Sequence, residues 1–472
     1  MNMKRRLLIR SLAWLLCTWC IHLNAVAQKT DTLQLSLDDA LYIAFSQGET
    51  LRIDSMEVAK VKESRRATIA KLWPQINASA DYSYTIKKQV MYLGGGKMPA
   101  MPGMGDLSKG IEVGRSNNIT AGISAALPVI APQLWNMVKL SKQQMESMAI
   151  ESEISRVNLT NNVTKAFYGL QLAWETVYVM QQSLQNAQLN FEDISKKYDA
   201  GLVPYYDKLR AEVQVHNLEP NYIQAKNAVE DARRTLNILL GIAIDTPIKP
   251  IGTELTVDPH QGNKELYSSL LINSNNSEQP YLELIKADQQ IAMLKTRECV
   301  EKSAFIPTLS LSGFFRVNAM DDTFKFTDYR WTPFSAVQLT LSIPLFSGFE
   351  RSANLRKAKL TTHQAMLQRD IQKKQLDAQA QSLAERLAAE EEKISSAEKA
   401  VSMATTGYEI ANKRYDTGAS TLVELNDADL ALLQSRLNLK QAYYDYFTIK
   451  ADIDKLNGKS YKLPSEKQDF HY

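Results

Sequence analysis

The stretch Lys196-Lys197-Tyr198-Asp199-Ala200-Gly201 returns 217 residues later as Lys413-Arg414-Tyr415-Asp416-Thr417-Gly418. Gly241 returns at the same offset as Gly458, and Leu127-Pro128 returns at an offset of 216 as Ile343-Pro344. Landmarks that repeat in one order indicate a structural unit that is used twice. The sequence therefore predicts an internal duplication.

A fourth landmark locates the main difference between the two copies. The strand-like stretch after Trp73-Pro74 returns after Ile306-Pro307 at an offset of 233, so the first copy holds about 17 extra residues before Pro128. Insertions into surface loops are well tolerated. We expect a first repeat over residues 28–242, a connector over 243–279, a second repeat over 280–458 and a tail over 459–472.

The first 27 residues are typical of an export signal. Four basic residues precede an apolar stretch, and Ala25-Val26-Ala27 is the small-x-small pattern that a signal peptidase cuts. A lipoprotein signal would need a small residue before the modified cysteine, but Leu16 precedes Cys17 and Trp19 precedes Cys20. The pattern favours cleavage after Ala27 over lipidation.

Removal of this signal changes the charge and the cysteine count. The formal charge of +3 falls to about −1 because four Lys and Arg residues are lost, which leaves no electrostatic case for a nucleic-acid partner. Cys299 is then the only cysteine, so no disulfide can form within the chain. No later stretch reaches the length of a transmembrane helix.

Most of the remaining chain has the composition of unusually long helices. From Pro132 to Tyr198 there is no further Pro and one Gly, and the counterpart runs from about Phe349 to Tyr415. One helix of this length would extend roughly 100 Å, more than the roughly 60 Å diameter of a compact domain of this chain length. We therefore expect an elongated coil or bundle.

The second long helix carries a coiled-coil seam in which apolar residues alternate steps of four and three. Its members are Leu376, Ala380, Leu383, Leu387, Glu390, Ile394, Ala397, Val401 and Ala404. Each long helix ends at a Tyr-Asp-x-Gly, where Gly201 and Gly418 suit a helix cap with positive φ. Return helices are expected at about 205–240, with a bend or break at Pro220, and at about 421–456.

Four stretches alternate apolar and polar residues with period two, as outer-membrane strands do. They lie at about 75–84, 119–128, 308–316 and 334–343. Four strands cannot close a barrel, and an open sheet edge is not tolerated in hydrocarbon. If the strands span a membrane, the chain must oligomerise; two, three and four copies would supply eight, twelve and sixteen strands.

These features together resemble the TolC family of outer-membrane efflux proteins, over essentially all of the exported chain. Leu35 to Leu41 is similar to the family's opening helix, and Pro344-Leu345-Phe346-Ser347-Gly348 to its strand-to-helix joint. The resemblance implies a mostly α fold with a small β part: long antiparallel hairpins forming a periplasmic tunnel, and four strands per chain in a trimeric, 12-stranded outer-membrane β-barrel. It further implies a homotrimer in outer-membrane lipid that works passively with a periplasmic adaptor and an inner-membrane pump.

The resemblance also assigns sites. Glu424 and Asp427 match two acidic pore-facing residues of the family, and i, i+3 spacing places them on one helix face. Threefold symmetry would turn them into stacked carboxylate rings. In the first hairpin, Asp207 and Arg210 hold the equivalent places; solvated helix charges remain the alternative for all four. Adaptor docking is expected at Gly201, Leu202 and Val203 and at Gly418, Ala419 and Ser420, where the glycines would also cap helices. The strand-helix joints are expected at Pro128 and Pro344.

The sequence offers no constellation for catalysis. The four His residues after the signal have no metal-ligand spacing, and no nucleophile triad or phosphate loop stands out. We expect no enzyme activity, no metal and no cofactor. The rival interpretation from another class is a soluble periplasmic coiled-coil adaptor or scaffold, which would share the signal and the hairpins but has no need of four alternating strands.

Overall fold

The computed structural model describes residues 32–92, 111–251 and 281–463. The export signal with Cys17 and Cys20, most of the connector, and the tail beyond residue 463 lie outside these ranges. The helices are α1 (Leu37–Gln47), α2 (Glu49–Ala70), α3 (Pro132–Asp199), α4 (Tyr205–Leu240), α5 (Leu282–Ser303), α6 (Glu350–Asp416) and α7 (Leu422–Leu456). The strands are β1 (Leu33–Leu35), β2 (Gln75–Tyr84), β3 (Gln89–Met91), β4 (Ile111–Val113), β5 (Asn117–Ile130), β6 (Ile248–Pro250), β7 (Thr308–Asp321) and β8 (Thr332–Ser342).

The two long helices form as the sequence predicts, and so do the helices that follow them. α3 and α6 run for 68 and 67 residues, and Pro220 is accommodated inside α4 without ending it. The predicted seam of α6 is confirmed, since its members are buried or half-buried, with Leu387 and Ile394 fully enclosed. Glu390, the polar member, pairs with Lys393.

The duplication is visible in the ends of the helices. Gly201, Gly241, Gly418 and Gly458 all have φ between 69° and 72°. After each glycine the next amide donates to the carbonyl five residues back, as Leu202 does to Lys197 and Ala419 does to Arg414. This 6→1 bond is the Schellman motif, which satisfies the last free carbonyls of a helix. The same cap therefore recurs at all four repeat-related positions.

Four strands form one antiparallel sheet in the order β2-β5-β7-β8. Ala78 pairs with Ile123, and Ile123 with Phe315, so the alternating patterns of neighbouring strands are in register. One face consists largely of apolar residues: Ile76, Ala78, Ala80, Ile119, Ala121, Ile123, Leu309, Leu311, Phe315, Val337, Leu339 and Leu341. The opposite face carries mainly polar ones, including Asn77, Ser79, Asp81, Thr120, Ser124, Ser310, Ser312, Asn318, Gln338 and Thr340.

The structure departs from the sequence prediction at several strand ends. β7 continues to Asp321, five residues beyond its predicted end, and β5 continues to Ile130. Pro128 therefore lies inside β5, where a shift of register between Pro128 and Ile130 accommodates a residue without an N–H. Pro344, by contrast, lies two residues after β8.

Two small sheets were not expected from the sequence. β3 pairs with β4 inside the long first strand connection, and β1 pairs in parallel with β6. β6 belongs to the segment that the sequence predicts as a plain connector. The part of the connector before residue 252 is therefore integrated into the fold.

The chain divides into two compact units, and each draws on both repeats. One unit holds residues 52–155 and 277–378, which include the four-stranded sheet; the other holds the segments up to 51, 156–276 and from 379 onward. In the second unit, the core packs Val179, Leu184 and Ala187 of α3 against Val215, Leu218 and Leu433. Within the described ranges, every helix is too short or too polar to cross a lipid bilayer.

Candidate functional site at the two hairpin tips

The first tip is the turn between α3 and α4. Gly201 has φ +72° because the Schellman turn requires a left-handed residue there. Leu202, the next residue, is 75% exposed, whereas Val203 is half-buried and packs on the cluster beneath the tip. Of the predicted docking residues of this tip, Leu202 is therefore exposed to a partner, whereas Val203 anchors the turn to the cluster.

The second tip, between α6 and α7, repeats this geometry with a different surface. Gly418 has φ +72°, and the Arg414 side chain donates to the Ala419 carbonyl at 3.1 Å. Thr421 caps α7, since its Oγ1 accepts from the Glu424 amide at 3.3 Å. Ala419 is exposed and Ser420 half-buried, so this tip presents small residues where the first presents Leu202.

An apolar cluster holds the two tips together. Ile194 of α3, Ala211 of α4, and Leu422 and Leu425 of α7 are all buried, and Tyr408 and Tyr415 of α6 pack against them. Ile194 and Leu425 are essentially inaccessible to solvent. The four helices therefore end as one packed group, which fixes the position of both turns.

Lys197 links the two hairpins through charge. Its Nζ lies 2.6 Å from an Asp193 carboxylate oxygen, 3.6 Å from Asp416 across the tips, and 4.9 Å from the centre of the Tyr415 ring. Partial burial opposes its charge, but hydrogen bonding to Asp193 and attraction to Asp193 and Asp416 outweigh burial and raise the pKa of Lys197. Burial raises the pKa of Tyr415.

The predicted acidic pair of the second hairpin is available to solvent. Glu424 and Asp427 are both exposed on the first two turns of α7. Asp429, two residues farther, is only 7% exposed, and Ser183 Oγ lies 3.4 Å from its Oδ2. Burial raises the pKa of the Asp429 carboxyl, although hydrogen bonds from Asn186 and Ser183 oppose this.

The predicted pair of the first hairpin lies in a different setting. Asp207 and Arg210 are half-buried and line a recess of about 650 Å³ that also contains Lys197, Tyr415 and the second tip. Among the described residues, no ion pair within 4 Å joins Asp207 to Arg210. Asp207 and Arg210 thus line the recess between the tips, whereas Glu424 and Asp427 do not line it and are exposed on α7.

Sequence reasoning did not single out Lys197, Tyr415 or Asp429. Lys197 and Tyr415 could have been identified as candidate site residues from the sequence, because both belong to the repeated Lys-Lys/Arg-Tyr-Asp motif that marks the tips. Asp429 carried no such signal, since an Asp in a charged helix is more often solvated than buried.

Three comparisons with known proteins bear on this geometry. The sequence model of the family described as "Outer membrane efflux protein" matches residues 43–242 and 278–459. "Probable outer membrane lipoprotein SilC" of Salmonella typhimurium is 19% identical over 328 residues, which cover 69% of this chain and 64% of that protein. "Outer membrane protein TolC" of Escherichia coli (strain K12) is 20% identical over 445 residues, which cover 89% of this chain and 83% of that protein.

Among solved structures, the CmeC outer membrane channel of Campylobacter jejuni superimposes with a TM-score of 0.71 at 18% identity, covering 89% of this chain and 85% of that one. A likeness at this identity concerns the fold. The alignment with SilC spans less than two thirds of the length of that protein.

Proposed function

This chain belongs to the outer membrane efflux protein family and is a protein of the outer membrane, and on that premise we propose that it is the passive channel of a tripartite efflux or secretion system. An inner-membrane pump and a periplasmic adaptor would supply its cargo and its energy. Residues 28–242 and 280–458 would be its two repeats, joined by the connector at 243–279. The family is one of channel proteins, which argues against an enzyme and against the rival of a soluble adaptor.

The observation that carries the proposal is the four-stranded sheet with one apolar and one polar face. Such a sheet is typical of a membrane β-barrel, in which the apolar face contacts lipid and the polar face contacts water. β2 and β8 lie at its two edges, and an edge in hydrocarbon must be paired. Pairing β8 of one copy with β2 of the next closes a ring, and three copies would give twelve strands around a water-filled lumen.

The hairpin tips would form the periplasmic gate. Glu424 and Asp427 are exposed, so three copies would place six carboxylates around the axis. Stacked acidic rings attract cations and repel one another as an aperture narrows. Asp207 and Arg210, which line the recess between the two tips, would adjust the fit of the hairpins rather than the charge of the opening.

Adaptor docking is proposed at the turns themselves. Gly201, Leu202, Gly418 and Ala419 are exposed at the ends of the two hairpins, while Val203 and Ser420 would hold the turns in place. Leu202 offers the largest apolar contact, because an exposed Leu on a rigid turn can be buried by a partner at little cost in order. Leu202→Ser should therefore weaken adaptor binding more than Ala419→Ser.

Planar-bilayer conductance tests the channel and its gate together. The purified protein should form pores with cation preference, and Glu424→Gln and Asp427→Asn should each lower that preference. Glu409→Gln, which removes an exposed carboxylate from α6, is the matched control and should leave it unchanged. Unchanged selectivity in both gate variants would refute the acidic rings, and absence of any pore would refute the channel.

The mass of the detergent-extracted particle tests the assembly. Three signal-free copies of a chain of 53.2 kDa before cleavage would weigh about 150 kDa after subtraction of detergent. A monomer that is extracted without detergent would contradict the closure of the sheet between copies.

A further inference from the structure

The four helices that join the sheet are strongly basic where they meet it. The starts of β2 and β7 and the ends of β5 and β8 lie at the same end of the sheet, because Gln75 pairs with Ala126 and Thr308 with Ser342. The adjoining three turns of α2, α5, α3 and α6 are residues 60–70, 293–303, 132–142 and 350–360, here called the basic collar. The collar holds thirteen Lys and Arg against four Glu, whereas the rest of the chain after residue 27 holds 38 basic against 48 acidic residues.

Much of this charge is not neutralised inside the chain. Lys302 at the end of α5, and Arg356 and Lys357 near the start of α6, are exposed. None of the three makes an ion pair within the part of the chain that the structure describes. Side chains of an α-helix lean toward its N-terminus, so Arg356 and Lys357 lean toward the sheet. Their ammonium and guanidinium groups are thus directed at whatever surrounds the joints.

Between the collar and the sheet lie exposed apolar and aromatic side chains. Trp73, Leu345, Phe346 and Phe349 are 68%, 90%, 76% and 72% exposed. Phe349 has φ +66°, a left-handed conformation that is strained for an aromatic residue, and it follows Gly348 at φ +59°. The strained turn places the Phe349 ring edge-on to Phe346, with 5.6 Å between the ring centres.

The charge of Arg351 has a structural role in this turn. Its guanidinium donates to the Pro344 carbonyl and the Ser347 hydroxyl, both at 3.0 Å, and lies 5.8 Å from the centre of the Phe305 ring. Arg351 therefore holds the joint that presents Phe346 and Phe349. The exposed residues beyond it are the ones left for an external partner.

We propose that the basic collar binds the phosphate headgroups of anionic phospholipids in the periplasm-facing leaflet of the outer membrane. Aromatic rings lie at headgroup level in membrane proteins, and Lys and Arg near an anionic leaflet are attracted to its phosphates. The apolar joint residues would mark the edge of the hydrocarbon, with the collar one to three helical turns below. This inference rests on the proposed insertion of the sheet into the membrane. The partner is lipid rather than protein because exposed apolar side chains lie on the sheet side of the charge at every joint, as Trp73, Ile130, Phe305 and Phe346 do.

The test measures lipid binding to the full-length protein in detergent. Phosphatidylglycerol and phosphatidylcholine with identical acyl chains are titrated separately, and bound lipid is counted by native mass spectrometry. A basic residue near an anionic surface contributes about fivefold in affinity. The wild type should bind phosphatidylglycerol at least about tenfold more tightly than phosphatidylcholine, and the combined variant Lys302→Gln, Arg356→Gln, Lys357→Gln should lose most of that preference.

Matched variants separate the collar from general charge. Lys374→Gln, Lys399→Gln and Lys450→Gln remove three exposed lysines distant in sequence from the joints and should leave the preference intact. Lys302→Arg with Lys357→Arg keeps the charge and should also retain it. Conductance should be unchanged in all of these, which separates failure of the lipid site from failure of the channel.

Three results would overturn the proposal. The first is equal binding of the two lipids by the wild type, and the second is an equal loss in the control variant. The third is a collar variant that keeps its lipid preference but changes ion selectivity, which would place the collar on the water-filled side of the wall.

Discussion

Substitution by alanine should destabilise the turn at Gly241 more than the turn at Gly418, although the two glycines have nearly identical backbone conformations. Gly418 and Gly241 have φ values of +72° and +71°. At Gly418, a Cβ would meet no atom within 4 Å among the described residues. At Gly241, it would lie 2.8 Å from the carbonyl oxygen of Gln47, which is the last residue of α1.

The expected cost follows from these two situations. A left-handed conformation costs a residue with a Cβ roughly 1–2 kcal/mol, and Gly418→Ala should show this cost alone. Gly241→Ala adds a backbone contact that only a shift of α1 can relieve, and forcing atoms into a packed site costs about 1–3 kcal/mol more. The total at Gly241 is about 2–5 kcal/mol.

Amide hydrogen exchange followed by mass spectrometry measures this loss of local stability at each turn in the assembled protein. Exchange through local opening accelerates about tenfold for each 1.4 kcal/mol lost. Peptides over residues 414–421 in Gly418→Ala should exchange about five- to thirtyfold faster. In Gly241→Ala, the peptides over 237–245 should exceed that range, and peptides over 41–48 should accelerate with them.

Gly201→Ala is the internal control, since it has the φ of Gly418 and the same open space. Its effect should equal that of Gly418→Ala. If Gly241→Ala accelerates exchange no more than the tip variants do and leaves residues 41–48 unchanged, the contact with Gln47 does not constrain the turn.

For three further substitutions the structure predicts the direction of the change in stability. Burial raises the folded pKa of Asp429 above its unfolded value, so its ionisation destabilises the fold as pH rises through the folded pKa. Asp429→Asn should therefore raise the melting temperature at pH 8, and this gain should disappear progressively toward acid pH. Asn237 is fully buried and its Nδ2 donates to the carbonyls of Ala243, Ile244 and Thr246; Asn237→Ala should cost about 1–3 kcal/mol, seen as faster exchange over 241–248. Pro220 is exposed inside α4, so Pro220→Ala should gain up to about 3 kcal/mol and slow exchange over 214–224.

The sequence was informative wherever a pattern was long or repeated. The long helices followed from long stretches with almost no Pro or Gly, their caps from the two Tyr-Asp-x-Gly motifs, and all four strands of the main sheet from their alternation. The β1–β6 pair could not be predicted, because three residues on each side are too few to show a period. The pairing of β5 with β7, which joins the two repeats, is a property of register rather than of either strand alone.

The candidate site was predictable only in part, for a physical reason. The resemblance to the family assigned Glu424 and Asp427 as gate residues, and their i, i+3 spacing added that they lie on one helix face, which depends on local geometry alone. The burial of Asp429 and the contacts of Lys197 with Asp416 and Tyr415 depend on which helices pack together near the tips. Such tertiary contacts leave no periodic trace in the residues that make them.

The edge positions of β2 and β8 have a genetic consequence. If each wall is completed only by neighbouring copies, a chain that folds but carries a damaged gate will still be built into rings with intact chains. In a cell that expresses equal amounts of both, only about one ring in eight would contain three intact copies. Defects in the gate should therefore be dominant, whereas changes that prevent both β2 and β8 from pairing should be recessive, because such chains never enter a ring.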